Sequence, residues 1–226
     1  MNTQTIVINK KNVIPNTNNT KYIYKFPKPV PMQHNEIALA SLNMYYSWPN
    51  IQITYNNNKF TYVWWNYQGV LNSYQTITIP DGYYSIVTLS GYIQSQMFLR
   101  GHYVKDSHTQ NKVYFLSFLE NPTYYACQIT FTAMFAKNTP DAGTNYINEN
   151  PPTQVYENSV LVWKGWDWPA TKQYPQVIFS DGYAIKDFLG FEIGTFPVVG
   201  TSVISTYDIL STLTPVTYPV SAINIQ

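Results

Sequence analysis

The stretch Tyr74-Gln-Thr-Ile-Thr-Ile-Pro-Asp-Gly-Tyr-Tyr-Ser-Ile-Val-Thr-Leu-Ser-Gly-Tyr-Ile-Gln-Ser-Gln-Met-Phe-Leu-Arg100 changes its hydrophobic period once. Tyr74–Ile79 reads as a strand that stops at Pro80, whose ring removes a ladder donor. From Ser85 onward the pattern is different: Ile86, Leu89, Ile93 and Met97 recur at spacings of three and four and form one apolar stripe of a helix. Ser85 can cap its start, and Gly101 can take the left-handed conformation that ends it. The stripe is expected to be buried, with the helix lying across one edge or end of a β-sandwich.

Around this helix the chain reads as strands. Ile37–Trp48 is the first strong one, apolar on both faces. Asn56-Asn-Asn58 reads as a turn joining Ile51–Tyr55 to Lys59–Trp65 in a hairpin, because Asn tolerates left-handed angles. Lys112–Leu119 and Tyr124–Phe135 flank a turn at 120–123. Ser159–Trp163, Gln176–Phe179, Phe191–Thr195 and a C-terminal region, Val203–Ile225, complete the set, the last broken by Pro215 and Pro219. Short strands with frequent Pro, Gly and Asn punctuation point to an all-β sandwich or barrel. An internal echo, Asp81-Gly-Tyr and Asp181-Gly-Tyr, marks two strand-to-turn junctions, and the second predicts a short helix soon after it. Gly82 and Gly182 are expected at positive φ in these turns.

Residues 1–35 stand apart from 36–226. They carry Lys10, Lys11, Lys21, Lys25 and Lys28 before the first acidic residue, Glu36, and end in Phe26-Pro-Lys-Pro-Val-Pro31, which favours an extended path. This is a basic arm outside the core. Its apolar residues, Tyr22, Tyr24 and Phe26 among them, exceed what a linker needs, so the arm is expected to order along a neighbouring subunit.

The 226 residues suit one core. Aromatic residues make up 17%, with 21 Tyr, while charged residues make up 11%, less than half of the roughly 25% usual in globular proteins. Such a surface is covered by Tyr, Thr and Asn, and Tyr is favoured where protein meets protein. With a net charge of +1 and a lone arginine, Arg100, broad phosphate binding is disfavoured, and nucleic acid is expected at most on the arm. Cys127 is the only cysteine, so no internal disulfide forms and a reducing compartment is expected. The N-terminus lacks the pattern of a signal peptide, and no apolar run is long enough to span a membrane.

Catalytic patterns do not assemble. Cys127 lies in an apolar strand context, and His34, His102 and His108 fall in the arm or in a polar turn. His102, Asp106 and His108 have spacings open to a metal, but solvated turn residues are the better reading, and no metal or cofactor is expected. Asp81 and Asp181 are explained by their turns, so no carboxylate pair for glycoside hydrolysis stands out. Trp163, Trp166 and Trp168 crowd a six-residue segment: exposed indoles there could stack on a glycan or fill a partner's pocket, and the alternative is that they wedge a long loop onto the sandwich.

The order of these elements resembles the minor capsid, or penton, proteins of the polinton, virophage and adintovirus-like lineage. The resemblance runs from Glu36 to Gln226. It is carried by the strand Ile37–Trp48, by Ile79-Pro-Asp-Gly-Tyr-Tyr-Ser-Ile-x-x-Leu89 leading into the helix, by Phe188-Leu-Gly-Phe191 and by the closing run Ser211–Ile223. It implies a single jelly roll forming a homopentamer at icosahedral vertices, in contact with a double-jelly-roll major capsid protein, and no catalytic residues. A glycan- or receptor-binding head of the same fold is the alternative. The expected location is the virion, after synthesis in the host cytoplasm or a viral factory.

Overall fold

The computed structural model describes Ile23, Lys25, residues 49–198 and residues 200–217. The predicted arm, with Lys10, Lys11, Tyr22, Tyr24 and Phe26, therefore lies outside the described residues apart from Ile23 and Lys25, as do the predicted strand Ile37–Trp48 and the closing run from Tyr218 on. The chain divides between Tyr45 and Tyr46, and every element named below belongs to the second part.

That part is mostly β-structure. Four antiparallel strands form one sheet in the order β11 (Gly194–Phe196), β10 (Gln176–Phe179), β1 (Lys59–Trp65), β2 (Leu71–Thr78). A second sheet has the order β12 (Thr206–Leu210), β6 (Ala126–Thr132), β5 (Leu116–Asn121). Alternation sets their inner faces: Phe60, Tyr62 and Trp64 of β1 are buried, as are Leu116 and Phe118 of β5 and Ile129 and Phe131 of β6. The two faces meet where Phe60 touches Phe118 edge to face, ring centroids 5.4 Å apart. A small sheet, β4 (Lys112–Val113), β3 (Val104–Asp106), β7 (Tyr146–Ile147), and a separate hairpin, β8 (Thr153–Glu157) with β9 (Val160–Lys164), complete the strands.

Helix α1 spans Ile86–Leu99, and Ser85 caps it with a full capping box shared with Thr88. Ile86, Leu89, Ile93 and Met97 are all buried, and Gly101 follows at φ +69°. The helix closes one side of the molecule by covering two sheet edges. Tyr92 Oη and Arg100 Nη2 donate to the carbonyls of Thr78 and Thr76 on β2. On β5, Gln94 donates to the Leu116 carbonyl, and the Phe118 N–H donates to Ser90 Oγ. Polar groups on an edge strand that would otherwise await another chain are thus satisfied internally. The second helix, α2, covers Ile185–Leu189 and ends at Gly190 with φ +79°, where an added Cβ would lie 2.1 Å from the Leu213 carbonyl oxygen.

Several expectations need correction. Ile51–Tyr55 is not a strand paired with Lys59–Trp65; residues 53–55 form a 3-10 turn, and β1 pairs with β2 and β10 instead. Side chains have taken the ladder donors of that segment: the Gln52 N–H donates to Asn57 Oδ1 and the Ile53 N–H to Asp81 Oδ1. Asn56 does take the left-handed conformation, φ +53°. Gly82 and Gly182 are not among the positive-φ residues. Gly82 instead bridges Ile51 in extended pairing, and its carbonyl accepts from the N–H groups of Asn50 and Ile51. The Gly182 carbonyl accepts from Asn56 Nδ2, so both Asp-Gly-Tyr junctions dock on the same segment, 50–57. The β5–β6 turn falls at Pro122–Tyr125, two residues later than expected, and the 191–195 strand begins only at Gly194.

Candidate interaction surface

The groups most capable of chemistry are inside. Cys127 is fully buried on β6, and burial pushes its thiol up to about 12, so it is a core residue and no thiolate. His102 is also buried, which corrects its reading as a solvated turn residue. Its Nδ1 lies 2.8 Å from Tyr62 Oη, and its ring stacks on Trp64 at 5.1 Å. Burial, with the Arg100 charge adding to it, lowers its pKa to about 3 and keeps the ring neutral. Burial likewise raises the Tyr62 phenol to about 12, against a smaller opposing effect of Arg100. Two N–H groups of this region, Trp64 Nε1 and Arg100 Nη1, meet no acceptor among the described residues, so ring packing holds it together.

Asp106 and His108 do not join His102. The Asp106 carboxylate accepts from the N–H groups of Thr109 and His108, each at 2.8 Å, which holds it below the usual carboxylate range. It serves its own turn, and no group of three or more His, Cys, Asp or Glu among the described residues is placed to hold a metal. Asp81 likewise serves the 3-10 turn through Ile53.

The tryptophan run separates into two roles. Trp166 is 1% exposed and packs on Trp64, with ring centroids 5.5 Å apart, while its Nε1 donates to the Gly101 carbonyl. Trp168 is also buried and touches Trp166 and Phe135. Trp163 alone, 46% exposed, looks outward from β9. Its ring lies parallel to Tyr67, 5.2 Å between centroids and 1° between planes. Strand alternation places Trp163 on the open hairpin, whereas Gly165, at φ +78° hard against the carbonyls of Asn150 and Pro151, turns the chain inward.

Outside, charged side chains are sparse and large aromatic ones are open to solvent. Tyr74, Tyr124, Tyr125 and Tyr156 are each more than two-thirds exposed, and Tyr125 sits at φ +49° on the tip of the β5–β6 turn, a strained position for a bulky residue. A shallow cleft of about 380 Å³ beyond the end of α1 is lined by Phe98, Leu99, Arg100, Tyr103, Glu149 and Asn150. Glu149 and the neighbouring lysines are already engaged. Tyr103 Oη donates to Glu149 at 2.6 Å, which with Lys105 lowers the Glu149 pKa, and Lys112 Nζ sits 3.6 Å over the Phe98 ring.

The chain matches no protein-family model, and neither a curated protein nor a solved structure matches it. No helix among the described residues is long and apolar enough to cross a membrane.

The burial of His102 and Asn50 escaped sequence reasoning, whereas packing against the sandwich was one of the two readings of the tryptophan cluster and holds for Trp166 and Trp168. Asn50 is buried and joins distant segments, donating to the carbonyls of Tyr84 and Thr217 and accepting from the Tyr84 N–H. Nothing in a lone Asn after a proline signals that role.

Proposed function

We propose that this chain is a non-catalytic structural protein of a viral shell: a penton-like jelly roll that assembles as a homopentamer and contacts a double-jelly-roll major capsid protein. The observation that carries this reading is the sparsely charged, tyrosine-bearing surface, with Tyr74, Tyr124, Tyr125 and Tyr156 open to solvent on a body whose titratable His102 and Cys127 are sealed inside. Tyrosine buries a large area with few rotors and keeps a hydrogen-bonding tip, so it suits protein contacts more than free solvent. The resemblance in element order supplies the viral and five-fold part of the proposal. The basic arm would reach an adjacent subunit.

The test is the mass of the purified chain in solution. The proposal expects five times the 26.1 kDa chain mass, and weaker assembly with an intact fold when residues 1–35 are deleted. A protein monomeric at every concentration and salt overturns it.

Trp163 favours a second reading, a glycan- or receptor-binding head. One face of its indole is fixed on Tyr67, and the side chain remains half open, the arrangement a sugar ring needs to stack on. Saturable sugar binding abolished by Trp163→Ala would select this reading over the first.

A further inference from the structure

The β8–β9 hairpin is joined by a two-residue loop, Asn158-Ser159, with both residues at positive φ, +47° and +66°. That is a type I′ turn, and it fixes which backbone groups face where. Glu157 and Val160 close the loop as a hydrogen-bonded pair, so Val155 with Val162 and Thr153 with Lys164 are bonded too. The alternate residues of β9, Leu161 and Trp163, turn their N–H and C=O groups away from β8. No hydrogen bond among the described residues reaches those groups.

Two other sheet edges are covered. On β2 and β5, α1 supplies side chains to the outward groups. Natural edges that lack such cover are blunted with charge, proline or a bulge. β9 has no proline and no bulge, and its lone charge is the terminal Lys164, which pairs with Glu157 at 2.7 Å. Its side chains are apolar and open: Val160 is 61% exposed, Leu161 and Trp163 46% each. A two-stranded hairpin by itself is marginally stable in water.

The geometry points to β9 as a self-pairing edge: two copies of this chain join through it, antiparallel about Val162, into a four-stranded sheet β8-β9-β9′-β8′ on a two-fold axis. In that register Leu161 lies opposite Trp163 of the second copy, and both have their backbone groups turned outward, so the two pairs exchange four hydrogen bonds. One face then carries Tyr156, Leu161, Trp163 and Gln154 in a continuous row across the axis. The other carries Val155 and Val162 from each copy. Lys164 faces Val160, so no like charges oppose each other. β8 is the poorer choice, because pairing about Val155 sets Gln154 against Tyr156 and Thr153 against Glu157, and Pro151-Pro152 precede it.

Val160, Leu161 and Trp163 are the exposed apolar side chains at the seam, and three side chains offer well below the roughly 800 Å² that a standard interface takes from each partner. The contact is therefore weak between free chains and strengthened where many copies are held together. It does not rest on the five-fold proposal: a ring closes through two different surfaces, whereas β9 meets itself.

Val162→Cys in the full chain tests it. Cys127 is buried and does not compete. Under mild oxidation at high protein concentration, Val162→Cys is expected to give a covalent dimer, and Tyr156→Cys, on the outer strand of the paired sheet, is expected to give at least tenfold less. Adding Leu161→Pro to Val162→Cys removes an outward N–H without removing a β8–β9 bond and is expected to slow crosslinking at least tenfold, with an unchanged thermal midpoint. Equal yields from positions 162 and 156, or crosslinking untouched by Leu161→Pro in a folded chain, overturn the inference. A pentamer that fails to crosslink sinks this inference alone; a crosslinked pair without a pentamer sinks the five-fold reading alone.

Discussion

A histidine set between a tyrosine hydroxyl and a tryptophan ring, away from water, cannot hold a proton cheaply. The pKa of His102 is lowered from 6.5 to about 3 on folding, so between these values the unfolded chain binds the proton and the folded chain does not. Stability from this residue is complete above about pH 6.5 and is lost as pH falls toward 3, by on the order of a few kcal/mol. His102→Phe should flatten that acid limb in denaturant melts taken from pH 7 to pH 4. At neutral pH the same substitution should cost about 1–3 kcal/mol, because it leaves the Tyr62 hydroxyl buried without its 2.8 Å partner. Adding Tyr62→Phe should recover part of that loss, and a double-mutant cycle with no coupling would show that the pair does not interact. Asn50 belongs at this scale too. Its amide makes three hydrogen bonds to Tyr84 and Thr217, so Asn50→Leu should lower stability by about 2–4 kcal/mol through stranded backbone groups.

At the scale of the element, α1 does two jobs with two kinds of residue. Its apolar stripe fills the core, and Leu89→Asp, which buries a carboxylate at a site with no exposure, should unfold the protein or lower its thermal midpoint steeply. Its polar residues close the sheet edges. Ser90→Ala strands the Phe118 N–H, which now donates to Ser90 Oγ at 3.0 Å. The expected cost is about 1–3 kcal/mol, with faster hydrogen exchange at Phe118 than at its neighbours in β6. Protection unchanged at that amide would mean that another acceptor replaces the hydroxyl. Ser85→Ala should cost about 1 kcal/mol through the lost cap.

At the scale of the whole molecule, the surface carries few charges, with 11% charged residues in the chain. Its exposed ion pairs, such as Lys164 with Glu157, contribute little stability in water, and little charge remains to keep separate copies apart. Self-association through the proposed β9 pairing should therefore depend weakly on salt between about 50 and 500 mM, since that pairing is hydrogen-bonded and apolar and not ionic. Sedimentation at both salt concentrations checks this. Assembly that vanishes at the higher one would assign the contact to the lysines instead.

Several elements were legible in the sequence because their causes are local. The α1 stripe, Ser85 as its cap, Gly101 as its end and Gln176–Phe179 as a strand follow from period and capping chemistry over a few neighbouring residues. The buried state of Cys127 also follows from its apolar strand. Other features were decided by contacts from outside the segment itself. Whether 51–55 extended or turned depended on Asn57 and Asp81 taking the backbone donors. Gly82 was drawn into extended pairing by Ile51, against the turn chemistry of its own dipeptide. Three tryptophans within six residues look equivalent in sequence, yet Trp166 and Trp168 met a core made by Trp64 and Phe135, and Trp163 stacks on Tyr67 at the surface. Local propensity sets what a segment can do at a cost of about 1 kcal/mol per residue or less, whereas burial of an indole or a stranded N–H is worth several times that. Where the two compete, the tertiary structure decides.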